Sequence, residues 1–82
     1  MTREEIFKKA QEIFVKALMI DEDDFTMETD IINDLCPSSL QIVGLTIELE
    51  NAFDIAITDG EMKEIFLVSE LVEFVEEKIR YS

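Results

Sequence analysis

The sequence contains no histidine and only one cysteine among its 82 residues. Histidine is the commonest general base in enzymes and the commonest metal ligand in proteins, so a Ser-His-Asp or Cys-His site is excluded within this chain. The single cysteine, Cys36, excludes an internal disulfide and a multi-thiolate zinc site, and it agrees with a reducing compartment. We therefore predict a protein that is not an enzyme, with no catalytic residue and no metal site.

Basic residues are scarce as well, because seven Lys and Arg stand against twenty Asp and Glu, a net charge of −13. The stretch between Lys16 and Lys63 contains no basic residue and twelve acidic ones. Nucleic acids are held mainly by Lys and Arg, and anionic membrane surfaces attract the same side chains, so neither is an expected partner. We expect instead partners with basic docking patches, since opposite charges raise the rate of encounter.

Long apolar segments are also missing, because no run approaches the roughly 20 apolar residues of a membrane span and no signal-like segment opens the chain. We therefore expect a cytoplasmic protein without a membrane span. Hydrophobic residues nevertheless make up 48% of the sequence, which is enough for a packed core. The length predicts one domain over residues 1–82, and we expect it to be a monomer.

Three capping boxes mark the starts of helices. Their cap and third helical residues are Thr2 with Glu5, Ser38 with Gln41, and Thr58 with Glu61. Apolar residues recurring at three- and four-residue steps then predict a helix from about 3 to 18, with Ala17 on its apolar stripe, and another helix from about 39 to 53. A short helix follows Thr58 and runs through Met62 and Ile65, and a last one starts near Ser69.

The long connection over residues 19–37 carries five large apolar side chains, which are Phe25, Met27, Ile31, Ile32 and Leu35. A connection this apolar is expected to lie against the core. No segment alternates convincingly as a β-strand, since Ile55-Ala56-Ile57 is too short to form a sheet. The predicted fold is all-α: a small four-helix bundle with three longer helices, one short helix and a long first loop.

Two candidate sites are discounted on their chemistry. The acidic run from Asp21 to Asp24 lacks the alternating ligands and the glycine of an EF-hand calcium loop, and Phe25 interrupts it. Cys36 could form a thioester or an intermolecular disulfide, but neither a histidine nor an adjacent cation is present to lower its pKa. We therefore interpret the acidic run as a solvated loop and Cys36 as a passive thiol.

Ser39 is the third candidate. It falls in the first turn of the second predicted helix, where backbone N–H groups and the helix dipole favour a negatively charged group such as a phosphodiester. A phosphorylated or phosphate-linked serine would suit this position. The residues alone leave open the alternative that Ser38 and Ser39 are ordinary helix caps.

The segment from Asp34 to Leu40 reads Asp-Leu-Cys-Pro-Ser-Ser-Leu, and the segment from Asp54 to Ile57 reads Asp-Ile-Ala-Ile. Together with the helical pattern over nearly the whole chain, they resemble the acyl carrier protein family. The resemblance implies that Ser39 is esterified to 4′-phosphopantetheine, whose thiol carries acyl groups as thioesters in fatty-acid or related specialised acyl or polyketide biosynthesis. It also implies a phosphopantetheinyl transferase and acyl-loading or acyl-processing enzymes as partners, and a core that opens to house the acyl chain.

The sequence departs from the family pattern before the modified serine. Cys36, Pro37 and Ser38 stand where the family has Gly, a variable residue and Asp, and Gln41 and Gly44 stand where acids are common. Ser38, Leu40, Glu48 and Glu50 remain as candidate partner-recognition residues, and the departures point to a specialised carrier. Three alternatives stay open: an unmodified carrier-fold interaction module, an aminoacyl or peptidyl carrier, and an unrelated acidic helical adaptor.

Overall fold

The computed structural model describes residues 1–81, so Ser82, the last residue of the predicted domain, lies outside the described residues. The four α-helices are α1 at Arg3–Leu18, α2 at Ser39–Phe53, α3 at Asp59–Lys63 and α4 at Val68–Arg80, and a 3-10 helix covers Glu22–Asp24. No β-strand forms within the described residues, although Asp30 and Leu67 make an isolated antiparallel β-bridge. The predicted all-α bundle of three longer helices and one short helix is confirmed.

The first three helices begin where the capping boxes place them. In each box the cap hydroxyl accepts a hydrogen bond from the third helical N–H, and that residue's side chain accepts one from the cap N–H: Thr2 with Glu5, Ser38 with Gln41 and Thr58 with Glu61. The backbone hydrogen bond from the cap lowers the pKa of Glu5 and likewise that of Glu61. These reciprocal bonds satisfy N–H groups that a helix start leaves without partners.

Of the last two helices, α4 begins near Ser69 as predicted and α3 is shorter than predicted. Helix α4 begins at Val68, and the Glu70 carboxylate accepts hydrogen bonds from the N–H groups of Phe66 (3.0 Å) and Leu67 (2.8 Å) ahead of it. Helix α3 ends at Lys63, short of the predicted Ile65, because its last turn tightens into bonds that span three residues. Within the described residues no helix has both the length and the apolar character that a membrane crossing requires.

The core lies between α1, α2 and α4, and α1 contacts both of the other long helices. Its buried apolar residues come from α1, α2 and α4 and from the connecting segments: Ile6, Ala10, Phe14, Phe25, Ile31, Leu45, Leu49, Phe53, Ile57, Ile65, Val68, Leu71, Val72 and Val75. Ala17 was expected on the buried stripe of α1 and is exposed instead. It lines a surface cleft of about 300 Å³ with Gly44, and these two small residues leave the cleft open to solvent.

The first loop lies against the core, as its composition predicts. Phe25 is buried, with its ring 5.4 Å from that of Phe7 and 5.0 Å from that of Phe14. Ile31 is buried too, and Met27 and Leu35 pack partly buried against the core. Ile32 is the exception, because it is 41% exposed and lines a surface cleft instead.

Backbone hydrogen bonds fix this loop to the segment between α3 and α4. The N–H of Ile31 donates to the Phe66 carbonyl (2.7 Å), and the N–H of Val68 donates to the Thr29 carbonyl (3.0 Å). Ser69 N–H donates in the same way to the Met27 carbonyl at 3.0 Å. These bonds hold the first loop against the segment before α4, and they thereby fix the position of the chain that leads into α2.

Two ion pairs join the helices to each other. Arg3 Nε lies 3.0 Å from Glu76 Oε1, which places the start of α1 beside the C-terminal half of α4. Lys78 Nζ lies 2.9 Å from Glu61 Oε2 and links α4 to α3. Both pairs are partly exposed, so each contributes at most about 1 kcal/mol to stability.

Candidate functional site

Ser38, Ser39 and Leu40 lie together at the beginning of α2, and each is exposed. The Ser38 hydroxyl accepts a hydrogen bond from the N–H of Gln41 (3.1 Å), and its own N–H donates to Gln41 Oε1 (2.9 Å). The cap role is thus filled by Ser38. The Ser39 hydroxyl makes no hydrogen bond with any residue in the range 1–81, so its oxygen is free to be modified.

Ser39 opens onto a cleft of about 420 Å³ between α2, α3 and the segment before α4. The cleft is lined mainly by apolar side chains, which are those of Ile32, Ile42, Val43, Met62 and Phe66, together with Ser39, Thr46, Asp59 and Lys63. The Thr46 hydroxyl already donates to the Ile42 carbonyl at 2.8 Å. A larger cleft of about 480 Å³ lies between Ile55 and Tyr81, but it contains none of the predicted site residues.

A carboxylate-centred turn leads into the site. Asp30 Oδ1 accepts hydrogen bonds from the N–H groups of Asn33 (2.9 Å) and Ile32 (3.0 Å), and Oδ2 accepts from Asn33 Nδ2 (2.9 Å). The bonds from Asn33, backbone first and side chain second, lower the pKa of Asp30. The Asp34 carboxylate in turn accepts a hydrogen bond from the Asp30 N–H at 2.9 Å. This turn holds the chain that leads to Cys36 and Pro37.

Cys36 adopts a left-handed backbone conformation, with φ of 48°. This region costs an ordinary L-residue about 1–2 kcal/mol, whereas glycine enters it freely. The side chain is exposed, and its thiol donates to the Asn33 carbonyl at 3.2 Å. The backbone thus turns sharply two residues before the cap of α2.

The two predicted recognition acids of α2 occupy different surroundings. Glu48 is exposed and lines the cleft shared with Lys16 and Gly44. Glu50 is half-buried, and its Oε2 accepts a hydrogen bond from the Ile57 N–H at 2.8 Å. At 100° per residue Glu48 is half a turn around the helix from Ser39, so the structure does not group it with the serine.

An exposed apolar face on α2 was only partly recognised from the sequence. Leu40 is 82% exposed, and Val43 and Ile47 are each 52% exposed. Their spacing of three and four residues puts them on one side of the helix, away from the buried stripe of Leu45 and Leu49. The sequence signal for this face is a second set of apolar residues on α2 that recurs at helical spacing outside the buried stripe.

Comparison with known proteins decides the family. No protein-family model matches the chain. The acyl carrier protein of Petrotoga mobilis is 38% identical over 79 residues, covering 96% of this chain and 93% of that protein. This chain belongs to the acyl carrier protein family. The acyl carrier protein of Rubrobacter xylanophilus is 44% identical over 77 residues (94% and 95% covered), and that of Thermotoga maritima is 35% identical over 78 residues (95% and 96%).

The left-handed Cys36 gives a physical reason for the glycine that the acyl carrier family usually has at this position. We expect Cys36→Gly to be neutral or to stabilise the fold by up to about 1 kcal/mol, since relief of strain exceeds the added entropy of the unfolded chain. Cys36→Val should instead destabilise it by roughly 1–2 kcal/mol, because β-branched residues rarely adopt positive φ. Urea unfolding monitored by circular dichroism measures both. Equal losses for the two variants would contradict the strain argument.

Glu48 and Glu50 form a matched pair for separating recognition from folding in this acyl carrier family member. Glu50→Ala removes the acceptor of the Ile57 N–H and should lower the free energy of unfolding by about 1–2 kcal/mol. Glu48→Ala should change it by less than about 0.5 kcal/mol, yet should slow association with a basic partner at low salt. Urea unfolding and stopped-flow binding measure the two effects. A stability loss for Glu48→Ala equal to that for Glu50→Ala would contradict this division.

Asp30 predicts a defined pH dependence. The pKa of Asp30 is lower in the folded protein, so the unfolded chain binds the proton more tightly. The ionised Asp30 carboxylate therefore stabilises the fold above the usual pKa of 3.8, and this stabilisation is lost as the pH falls through the lower folded pKa. Asp30→Asn should therefore be less stable than the parent protein at pH 7, and the difference should shrink below pH ~4. Thermal melts from pH 7 to 3 test this, with Asp23→Asn as the control for lost net charge. A difference that does not depend on pH would refute the assignment.

Proposed function

We propose that this chain carries acyl groups on a 4′-phosphopantetheine arm attached to Ser39, in fatty-acid or related specialised acyl or polyketide biosynthesis. The observation behind the proposal is the exposed Ser39 hydroxyl, free of hydrogen bonds within the described residues and opening onto an apolar cleft. Its relatives named acyl carrier protein match nearly the full chain. The domain of residues 1–82 would act as one unit.

The site fits the arm at its phosphate. A phosphodiester on Ser39 Oγ would lie at the N-terminus of a 15-residue helix whose first turn contains no acidic residue. Attachment would form a bond between Ser39 Oγ and the phosphorus of the phosphopantetheine part of coenzyme A. The pyrophosphate bond would break, adenosine 3′,5′-bisphosphate would leave, and the hydroxyl proton would pass to the transferase or to water.

The chain's own residues would hold and present the arm. Ser38 fixes the first turn of α2 through Gln41, which orients the Ser39 oxygen outward. Ile42, Val43 and Phe66 offer an apolar wall beside it, along which an acyl chain can approach the core. When bound, the arm supplies a terminal thiol that holds acyl groups as thioesters. With no histidine in the sequence, the chemistry would belong to partner enzymes, and this chain would not itself be an enzyme.

The partners would be a phosphopantetheinyl transferase and acyl-loading or acyl-processing enzymes with basic docking patches. The exposed apolar face of Leu40, Val43 and Ile47 lies next to Ser39, in a chain of net charge −13. An apolar centre with an anionic surround suits a partner with an apolar pocket and a basic rim. We also propose that the protein is a cytoplasmic monomer and that it binds no nucleic acid.

Intact mass spectrometry tests the proposal directly. The protein is incubated with coenzyme A and a broad-specificity phosphopantetheinyl transferase, and then with an acyl-loading enzyme. We expect the mass of one arm to be added, followed by one acyl group that hydroxylamine releases. An unchanged mass, under conditions where a known acyl carrier is fully modified, would refute the proposal and favour an unmodified interaction module. The unmodified module is an alternative because Ser38 stands where the family pattern has Asp.

A further inference from the structure

Lys63 is the only basic side chain among the described residues that line the cleft at Ser39. It ends α3, and it is the first basic residue after Lys16 along the chain. Both ion pairs within residues 1–81 use other cations, Arg3 and Lys78, so Lys63 has no carboxylate partner. An exposed lysine without an ion-pair partner thus lines the same cleft as Ser39.

The first turn of α2, which contains Ser39, carries no acidic residue, although the chain as a whole is acidic. The cap is Ser38, and the third helical residue is Gln41. Asp30 and Asp34 precede the site, but both carboxylates accept hydrogen bonds from backbone N–H groups of their own turn. Neither of these acids forms an ion pair with Lys63.

Asp59 is the one acidic side chain that lines the same cleft. It lies in the first turn of α3, where the helix dipole favours a carboxylate, and Lys63 lies in the last turn, four residues further on. The two groups do not form an ion pair. An exposed pair of this kind would contribute little to stability, and the Lys63 ammonium remains available to another anion.

We propose that Lys63 binds the phosphodiester of the arm on Ser39 and so positions the arm along the cleft towards Met62 and Phe66. This inference rests on the proposed function, because the anion is the phosphate that Ser39 would carry. The ammonium is a mobile point charge on a flexible stem, and it suits a singly charged diester. Lys63 is a positioning residue here, since the acyl chemistry takes place at the other end of the arm.

Nuclear magnetic resonance of the loaded protein tests this contact without an activity assay. The arm is added with ¹³C-labelled pantetheine, and nuclear Overhauser effects are measured between its methyl groups and the Phe66 ring, together with the ³¹P shift of the diester. In the parent protein we expect these Overhauser effects and a displacement of the Lys63 Cε resonance on loading. Lys63→Met, which keeps an apolar stem, should weaken the Overhauser effects about two- to fivefold. Lys63→Arg should largely restore them.

Lys9→Met is the matched control, because Lys9 is an exposed lysine on α1 that lies outside the cleft, and it should leave the spectra unchanged. High salt should weaken the contact in the parent protein, since the pair is exposed. Failure to add the arm would overturn the proposed function and this inference together. Full arm addition with the same spectra in the parent and Lys63→Met would overturn the inference alone.

A carboxylate on the cargo could bind the same ammonium, so the arm is examined as the free thiol, as acetyl and as succinyl thioester. A contact present in all three forms supports the phosphodiester as the anion. A Lys63 displacement seen only with the succinyl group would overturn that assignment in favour of the cargo.

Discussion

Ser39→Ala should abolish addition of the phosphopantetheine arm, while Ser38→Ala should still be modified. The Ser39 hydroxyl is exposed and makes no hydrogen bond with the described residues, so its removal deletes the acceptor of the arm and little else. The Ser38 hydroxyl accepts from the Gln41 N–H, and its removal should lower the free energy of unfolding by about 1 kcal/mol. Intact mass after incubation with coenzyme A and a transferase, beside urea unfolding, measures both effects.

The stability measurement is the control for this result. Ser39→Ala should unfold within about 0.5 kcal/mol of the parent protein, so that lost modification cannot be assigned to lost structure. The reverse pattern, with Ser39→Ala modified and Ser38→Ala not, would show that the arm is attached one residue earlier.

Phe25→Ala should destabilise the fold by about 3–5 kcal/mol. Phe25 is 1% exposed, and its ring contacts those of Phe7 and Phe14, so truncation leaves a cavity where the first loop meets α1. Small domains have about 5–15 kcal/mol of stability in total, so much of the margin would be lost. Thermal and urea unfolding measure the effect, and the loss of contact between loop and helix should also broaden the amide resonances of residues 26–31.

Phe66→Ala is the matched control, since Phe66 is 51% exposed and should cost less than about 1 kcal/mol. Phe25→Leu should fall between the two because it keeps most of the buried apolar volume. If Phe25→Ala and Phe66→Ala destabilised the protein equally, the buried aromatic contact would not be what holds the loop.

The helices could be read from the sequence where their start signals are local. Thr2, Ser38 and Thr58 each lie three residues before a residue that completes the box, and all three boxes form. Helix α4 has no hydroxyl cap, and a carboxylate reaching back from Glu70 serves instead. The sequence therefore located the start only as near Ser69, and the helix begins at the neighbouring Val68.

The surroundings of the candidate site could not be read in the same way, because they depend on contacts distant in the chain. Ile32 and Phe66 reach the cleft only because the first loop pairs with the segment before α4. The bond from the Ile57 N–H to Glu50 appears once the chain has turned back after α2. The prediction that Ser39 lies in the first turn of α2 depended only on neighbouring residues, and the structure confirms it.

The ion pair of Arg3 with Glu76 has a consequence for protein engineering. It brings the first turn of α1 next to α4, which continues for only four residues to Arg80, a rise of about 6 Å. The start of α1 and the last turns of α4 therefore lie on the same side of the bundle, an arrangement that favours circular permutation and insertion into a host loop. Short linkers at the start of α1 and the end of α4 should allow the bundle to be inserted into a host protein with its four helices packed as they are here.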